Sequence, residues 1–477
     1  MSDTLIRLTA TEAVAALRAR EVSPLELIEA AAARIAVVEP AVNALPTLCL
    51  DRARERARRL PATAEHPGAL HGLPVVIKDL VDVAGVRTTY GSPLFAEHVP
   101  DKSHPLVERI EALGGIVIGK SNTPEFGAGG NTFNEVFGRT LNPWNTSLTC
   151  GGSSGGAAVA LATGEAWLAH GSDHGGSLRG PATLTGVVGL RPSPGRVTRG
   201  TPANLFSPLS VQGPMARTVA DIALFLDTMA GHDRRDPMSF EAPAIPFSAA
   251  ARSPRPPARI AFTADYGGAV PVERETRELC AKAVLRFAEA GTIVEEAHPD
   301  LGPAAEVFLA LRSQHFLVDR ELQLQAHRDK LKPDIIWNTE LALAQTPSRL
   351  AWAERERAAL YRRFLAFFET YDLLVTPGAP TPAWDVTQRA RTIVDGRKLD
   401  SYIAGSLLTS AITLTSCPAL SVPCGLDRHG RPVGLQLIAP PRGEGALLAA
   451  GAVFERIAPW AGNFPLDPRP GSVPPDA

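Results

Sequence analysis

Cysteine is scarce in this sequence, and its pattern argues against a disulfide framework. Five cysteines are spread over 477 residues, an odd number without a CxxC pair: Cys49, Cys150, Cys280, Cys417 and Cys424. Scattered cysteines in a chain of this size indicate reduced thiols and predict a cytoplasmic location. The eleven histidines include no HExxH motif and no pairing with cysteine at zinc-finger spacing. We therefore expect no bound metal and no other cofactor.

Long apolar runs and an excess of basic charge are also missing. No apolar run reaches the roughly 18 residues that a membrane-spanning helix needs. The N-terminus lacks a basic start followed by an apolar stretch, so we predict no signal peptide. The net charge is −2, whereas nucleic-acid-binding proteins usually carry a basic excess. We expect a soluble protein without nucleic-acid or membrane partners; the sequence does not predict whether it forms homo-oligomers.

The composition is that of a globular protein, with 45% hydrophobic and 21% charged residues. No glycine-serine linker and no internal repeat divide the chain. We therefore predict one large α/β domain over residues 1–477. Its predicted parts are a helical N-terminal part at 1–60, a core of short strands and helices at 65–215, a largely helical region at 232–365, and C-terminal strands with a helix at 370–465.

Local patterns predict individual elements within these parts. Thr9 and Ser23 each begin an S/T-x-x-E capping box, which predicts a helix start. Short apolar runs such as 75–77 alternate with glycine-rich turns, which is typical of α/β structure. The proline-rich stretch 232–256 predicts a surface excursion, and helices with an apolar stripe for the core are expected at 300–370.

Residues 114–121 match the phosphate-loop pattern G-x-x-x-x-G-K-S. Such a loop needs a flexible turn whose amides surround phosphates, between a strand and a helix. Here the four variable positions are Gly-Ile-Val-Ile, which predict a strand, and a new helix start follows at Thr123 and Pro124. We therefore interpret the match as a coincidence and expect no bound nucleotide.

Lysine is rare, which makes Lys78 conspicuous. Only seven of the 48 residues that are Lys or Arg are lysines, and Lys78 closes the apolar run 73–77. Burial of an ammonium lowers its pKa towards neutrality, and a neutral amine can act as a general base. The segment alone leaves two alternatives open, because Lys78 could also reach the surface or pair with Asp79.

Two glycine-rich segments place serines next to small-residue helices. Residues 150–156 read Cys-Gly-Gly-Ser-Ser-Gly-Gly, and residues 171–182 read Gly-Ser-Asp-His-Gly-Gly-Ser-Leu-Arg-Gly-Pro-Ala. The small residues before Ser177 can turn several N–H groups towards one point, as an oxyanion hole requires. The alternatives are a flexible turn in the first segment and a helix N-cap at Ser177. The ordered α/β flanks and Pro181 favour fixed turns instead.

The charged neighbours of Ser177 have separate interpretations. Asp173 and Arg179 lie on either side of it, and we predict that they pair and hold the loop in shape. His174 is three residues from Ser177 on the same loop, and no G-x-S-x-G motif surrounds Ser177. A histidine so placed rarely points back at the serine, so we predict that His174 lines a pocket and is not the base.

Together these segments resemble the amidase signature family. The match is long in the segments around Ser153 and Ser177, it includes the lysine strand, and the spacing between the two serines is the one that the family uses. It continues at residues 418–423 and 432–437 and is weakest at 232–360. The resemblance implies one large, mixed and twisted β-sheet surrounded by helices, with 232–365 as a variable, substrate-shaping region.

The resemblance also implies a Ser–cis-Ser–Lys triad. In it Ser177 is the nucleophile that forms an acyl-enzyme, Ser153 is the bridging serine after a cis peptide bond, and Lys78 is the base. Further roles implied for other residues are an oxyanion hole at His174, Gly175, Gly176 and Ser177, hydroxyls near the lysine at Ser154 and Ser172, and a substrate wall at Gly127, Gly129, Gly130 and Ser153.

The implied function is hydrolysis of the C–N bond of a small-molecule amide by water. Esters and carbamates are further candidate substrates, because they form the same tetrahedral intermediate. The alternative is the glutamine-hydrolysing component of a tRNA amidotransferase. His174 stands where relatives often have threonine, and residues 127–131 replace a serine-rich approach. Both departures lie beside the acyl pocket, so the resemblance does not identify the substrate.

Overall fold

The computed structural model describes residues 2–60, 69–464 and 466–474, so residues 65–68 of the predicted core lie outside it. In this part of the chain the helices are α1 (Ser2–Arg7), α2 (Ala10–Ala19), α3 (Pro24–Val42), α4 (Leu50–Arg59), α5 (Pro105–Ala112), α6 (Gly155–Thr163), α7 (Arg179–Thr185), α8 (Val219–Met229), α9 (Phe247–Arg252), α10 (Arg274–Val284), α11 (Ala304–His327), α12 (Pro333–Leu343), α13 (Pro347–Phe367), α14 (Leu407–Thr415) and α15 (Glu444–Ile457).

The strands in the same residues are β1 (Thr47–Leu48), β2 (Pro74–Lys78), β3 (Ile116–Ser121), β4 (Phe133–Asn134), β5 (Gly138–Arg139), β6 (Leu168–Asp173), β7 (Val188–Arg191), β8 (Val211–Ala216), β9 (Arg259–Phe262), β10 (Ile293–Glu296), β11 (Leu373–Pro377), β12 (Ile393–Val394), β13 (Arg397–Lys398), β14 (Ala419–Leu426) and β15 (Pro432–Ile438). Two small hairpins, β4 with β5 and β12 with β13, stand apart from the main sheet.

One mixed sheet organises the described residues. Its eleven strands follow the order β1-β3-β2-β6-β8-β7-β14-β15-β11-β9-β10. Strand β2 is parallel to both β3 and β6, and β9 is parallel to β10 and β11. The neighbours between β6 and β11 in this order pair antiparallel. The predicted α/β fold with a large mixed sheet surrounded by helices is confirmed.

The two faces of this sheet form two apolar cores. Along β11, Leu373 and Val375 belong to one core while Leu374, between them, belongs to the other. On β9, Ile260 and Ala261 divide in the same way. Successive side chains of a strand point to opposite faces, so each of these strands supports both cores. The sheet therefore binds the two layers of helices into one body.

The capping boxes begin the helices that the sequence predicts. The Thr9 hydroxyl accepts from the Glu12 amide at the start of α2, and the Ser23 hydroxyl does the same for Glu26 at the start of α3. In both boxes the glutamate side chain accepts in return from the N-cap amide. These reciprocal bonds satisfy amide donors that the first turn of a helix leaves free.

The prediction of a surface excursion at 232–256 needs a correction. Much of this stretch is irregular, but it contains α9, which packs against α8 and α15. Phe247 at the start of α9 is only 4% exposed, so apolar burial fixes this short helix among its neighbours. Within the described residues, no helix combines the length and the apolar character needed to cross a bilayer.

The phosphate-loop match is part of a strand, as predicted. Its residues 116–121 form β3, which lies buried between β1 and β2. Lys120 is fully buried, and its ammonium contacts the Asp79 carboxylate at 3.2 Å and the Thr88 hydroxyl at 2.6 Å. The lysine that would reach a phosphate in a true loop is thus fixed inside the sheet.

Candidate active site

Lys78 lies at the carboxyl end of β2, buried between β3 and β6. All five residues of this strand are buried, and Lys78 has no exposed surface. The two alternatives that the sequence left open are both wrong, because Lys78 does not reach the surface and Asp79 pairs with Lys120 instead. The strand delivers an amine into the interior of the protein.

The amine of Lys78 contacts hydroxyl groups and forms no ion pair. Its Nζ donates to the hydroxyl oxygens of Ser153 at 2.7 Å, Ser154 at 2.9 Å and Ser172 at 3.1 Å. Burial lowers the pKa of Lys78 to about 7, although the charge of Asp173 opposes this shift. A large fraction of Lys78 is therefore neutral near pH 7 and able to accept a proton.

The loop before α6 brings Ser153 to Lys78. The Gly152–Ser153 peptide bond is cis, as the resemblance implies. Glycine is required at position 152, because a Cβ there would lie 2.7 Å from the carbonyl oxygen of Gly129. This close approach joins the Ser153 loop to the segment that contains the predicted substrate wall.

The Ser177 loop connects β6 to α7 and is organised by Asp173. The buried carboxylate of Asp173 accepts from the amides of Gly176 at 3.0 Å and Leu178 at 3.1 Å. It also pairs with Arg179 at 2.8 Å, as predicted, and with Arg191 at 3.0 Å, which the sequence did not indicate. Burial alone would raise the pKa of Asp173, but the two guanidinium groups outweigh it and hold the pKa well below its ordinary value.

These bonds correct one residue of the expected oxyanion hole. The N–H of Gly176 is directed at the Asp173 carboxylate and is not free to bind a substrate oxygen. The amides of His174, Gly175 and Ser177 remain as candidates. The carbonyl of Ser177 accepts from the amide of Ser154 at 3.2 Å, so the backbone joins the two serine loops directly.

Ser177 lies between two cavities of different character. We call the first the apolar cleft: it measures about 1010 Å³, and its side-chain walls are mainly apolar, among them Leu184, Phe308, Trp384, Val394, Ile403 and Leu408. We call the second the arginine cavity: it measures about 830 Å³, and its charged walls include Arg199, Arg312, Asp319 and Arg320. Ser177, His174, Gly127 and Arg312 line both.

The expected substrate wall divides between these cavities. Gly127, Gly129 and Gly130 line the apolar cleft, and Gly127 reaches the arginine cavity as well. Ser153 and Ser172 line the arginine cavity. The hydroxyl groups that contact Lys78 thus face the polar side of Ser177.

His174 lines both cavities, in agreement with the prediction that it faces a pocket. Its Nδ1 lies 2.7 Å from the Ser210 hydroxyl, and its Nε2 has no hydrogen-bond partner among the described residues. Its ring packs edge-on against those of Phe308 and His315. Burial, together with the charges of His315, Arg312 and other nearby cations, lowers the pKa of His174 well below its ordinary value, so the ring is neutral at pH 7.

Sequence reasoning missed the walls that α11 supplies. Arg312, His315, Phe316, Asp319 and Arg320 recur at helical spacing and all face the arginine cavity. A charged stripe on one face of a helix was the available signal, but nothing in the sequence shows that this face meets Ser177. Over the described ranges, no cluster of three or more His, Cys, Asp or Glu side chains could hold a metal ion.

Comparisons with known proteins agree with this geometry. The model of the protein family described as Amidase matches residues 26–448. The acylamidase of Rhodococcus erythropolis is 34% identical over 469 residues, which cover 96% of this chain and 97% of the relative. The glutamyl-tRNA(Gln) amidotransferase component GatA-type relative from Moorella thermoacetica is 34% identical over 479 residues, covering 95% and 97%.

Solved structures give the same picture. A bacterial aryl acylamidase of the amidase signature enzymes superposes with a TM-score of 0.89 at 29% identity, covering 96% of this chain and 97% of that one. The 6-aminohexanoate cyclic dimer hydrolase superposes with a TM-score of 0.87 at 27% identity, covering 96% and 99%.

Proposed function

Since this chain belongs to the amidase family and hydrolyses C–N amide bonds, we propose that Ser177, Ser153 and Lys78 form its catalytic triad. One observation carries the proposal. The buried amine of Lys78 lies 2.7 Å from the Ser153 hydroxyl, and burial brings the pKa of Lys78 to about 7. A base whose pKa is near the working pH is the most effective proton acceptor and donor.

The proton path runs from Ser177 to Lys78. Ser177 Oγ attacks the amide carbonyl carbon as its proton passes to Ser153 Oγ, while the proton of Ser153 passes to the neutral amine of Lys78. The carbonyl oxygen becomes an oxyanion that the amides of Gly175 and Ser177 stabilise. When the C–N bond breaks, Lys78 returns its proton through Ser153 to the departing nitrogen.

Water completes the reaction by the same path. The acyl group remains as an ester on Ser177, and the free amine leaves. A water molecule gives a proton to Lys78 through Ser153 and attacks the ester carbon. The carboxylic acid departs, and Ser177 regains its proton. Because an ester or carbamate passes through the same intermediate, both are further candidate substrates.

The apolar cleft favours a free-standing hydrolase over an amidotransferase component. Its side chains, such as Phe308, Leu184 and Val394, suit an apolar acyl group better than the polar chain of glutamine. The amidotransferase remains the alternative because relatives of that name share a third of the sequence. We place the enzyme in the cytoplasm, since its cysteines are free thiols.

Replacing the nucleophile tests the function. We expect Ser177→Ala to lower turnover of aliphatic amides and aryl anilides by several orders of magnitude, whereas Ser253→Ala, an exposed position, leaves it unchanged. Mass spectrometry of the wild type during turnover should find the acyl group on Ser177. Near-normal activity of Ser177→Ala would remove this residue from its role. Turnover of glutamine alone, and only with added partner proteins, would favour the alternative.

A further inference from the structure

The arginine cavity contains more positive charge than the protein neutralises. Arg199, Arg312 and Arg320 line it, and Asp319 is the carboxylate on its walls that faces them. Asp319 is itself 3.2 Å from His315 Nε2. The other acidic residue in the lining, Asp173, is already matched by two guanidinium groups, as described above.

The partners of these arginines are neutral groups. Arg312 is 7% exposed and donates to the amide oxygen of Asn338 and, at 3.0 Å, to the Tyr402 hydroxyl. Arg199 donates to the backbone carbonyls of Asn204 and Ser207. Within the described ranges, neither guanidinium has a carboxylate at ion-pair distance.

Arg320 is the arginine whose guanidinium is most available to a ligand. It stacks on the ring of Phe126 at 3.9 Å from the ring centroid, and the described residues provide it with no ion pair. Glu125 lies next to Phe126 in the chain, but its two oxygens accept from the Ser92 hydroxyl at 2.6 Å and the Lys332 amide at 2.7 Å. Stacking leaves the edge of a guanidinium free to form hydrogen bonds.

Such an arrangement is unfavourable until an anion enters. Burial lowers the pKa of both Arg199 and Arg320, which shows that their charged forms are held against a loss of hydration. A buried charge is tolerated when a counter-charge and hydrogen bonds compensate it. A carboxylate is the matching ligand, because its two oxygens accept the parallel N–H bonds of a guanidinium.

The position of Ser153 indicates which half of the substrate enters this cavity. In the proposed reaction, Ser153 passes the proton to the departing nitrogen. Ser153 and Ser172 line the arginine cavity, whereas the apolar cleft reaches only the glycines before Ser153. The amine half of the substrate therefore leaves on the side of the arginines, and the acyl half occupies the apolar cleft.

We propose that the enzyme acts on amides that join an apolar acyl group to an amine bearing a carboxylate, and that the arginine cavity binds this carboxylate. The proposal rests on the proposed function, since the direction of proton transfer assigns the two halves. Arg320 is the principal specificity residue, and Arg312 lies where the two cavities meet.

A pair of anilides of nearly equal size tests the proposal. N-benzoyl-4-aminobenzoate carries the carboxylate, and N-benzoyl-4-aminoacetophenone carries a neutral acetyl group in its place. We expect kcat/KM to be roughly 10-fold to 100-fold higher for the carboxylate, the usual range for a hydrogen bond to a charged group. Arg320→Gln should remove most of this preference and leave hydrolysis of the neutral anilide unchanged. Arg328→Gln is the control, because Arg328 is exposed and pairs with Glu340.

A binding measurement separates this proposal from the hydrolase function itself. Calorimetry with Ser177→Ala should detect binding of 4-aminobenzoate, the amine product, and the double variant with Arg320→Gln should lose it. Equal kcat/KM for the two anilides, or binding that Arg320→Gln does not weaken, overturns the carboxylate site and leaves the hydrolase function intact. Absence of turnover of any amide by folded protein overturns the function, whereas the calorimetry still decides whether the carboxylate site exists.

Discussion

Lys78 and Lys120 are adjacent in the sheet and equally buried, yet they occupy opposite chemical situations. Lys120 has the Asp79 carboxylate at 3.2 Å, which keeps an ammonium favourable. Lys78 has only hydroxyl groups around its Nζ. Burial penalises the charged form of both, but only Lys120 has a directly contacting carboxylate to offset that penalty. A single neighbouring carboxylate thus separates a structural lysine from a candidate base.

The protonation of Lys78 predicts how activity depends on pH. Below its pKa of about 7 the residue is an ammonium and cannot accept the proton of Ser153. As the pH rises through 7 the neutral amine forms, so kcat/KM for a neutral amide should rise over this range and then level off. We expect a flat profile below pH 9 to contradict the role of Lys78 as the base.

A lysine-to-arginine exchange tests the same point at one pH. Lys78→Arg keeps a positive charge but stays protonated throughout, so we expect kcat to fall roughly 10²-fold to 10⁴-fold. Lys282→Arg, on the exposed side of α10, is the matched control and should be unaffected. Near-normal turnover of Lys78→Arg between pH 6 and pH 9 would show that another group takes the proton.

The residues of the site differ in how far the sequence could reveal them. Lys78, Ser153 and Ser177 stand in short motifs whose glycines and small residues are visible in the sequence. Arg312 and Arg320 have no such local signature. They reach the cavity only because α11 packs across the sheet, and the sequence does not indicate which face of a long helix will meet which strand.

At the scale of elements, patterns within one element predicted well, and contacts between distant elements did not. The capping boxes gave the starts of α2 and α3, and the apolar runs gave β2 and β9. The order of strands in the sheet depends on pairings between distant segments, such as β7 with β14. No local pattern encodes such a pairing, so the resemblance to a family supplied what periodicity could not.

A buried carboxyl group near the C-terminal end of α6 connects this helix to α3. Glu165 has no exposed surface, and its Oε2 accepts from the Thr163 hydroxyl at 2.6 Å, while Oε1 lacks a hydrogen-bond partner within the described residues. Glu39 of α3 lies close enough for its charge to act on Glu165. Burial, and then this like charge, raise the pKa of Glu165 well above its ordinary value, so Glu165 is held towards its protonated form.

This raised pKa predicts a stability gain for Glu165→Gln. A group whose pKa is higher in the folded protein stabilises it at acid pH and loses that contribution as the pH rises. Glutamine has the shape of the protonated acid and stays neutral. The free energy of unfolding of Glu165→Gln should therefore exceed that of the wild type, by on the order of 1 kcal/mol at pH 8, with a smaller difference at pH 5.

Urea unfolding at several pH values measures this difference. Glu289→Gln is the control, because Glu289 is exposed and should show no such pH-dependent gain. A difference between Glu165→Gln and the wild type that stays constant from pH 5 to pH 9 would mean that Glu165 is ionised in the folded protein.

At the scale of the whole molecule, the sheet makes the two halves of the site interdependent. The triad residues stand at the ends of β2 and β6 and beside α6, next to the first core. Phe308 and Ile403 of the apolar cleft belong to the second core, on the opposite face. Since strands such as β9 and β11 contribute side chains to both cores, damage to one core should weaken the other.

This dependence predicts a single unfolding transition even for a lesion far from the triad. Phe364 on α13 is 1% exposed in the second core, so Phe364→Ala should reduce the free energy of unfolding by about 3–5 kcal/mol. Leu322→Ala is the control, because Leu322 is 75% exposed on α11. We expect residual amide hydrolysis and far-UV circular dichroism to be lost at the same, lowered temperature in Phe364→Ala. If instead the helices of the second core unfolded in an earlier transition while circular dichroism still reported an intact sheet, the two layers would be independent units joined only at the active site.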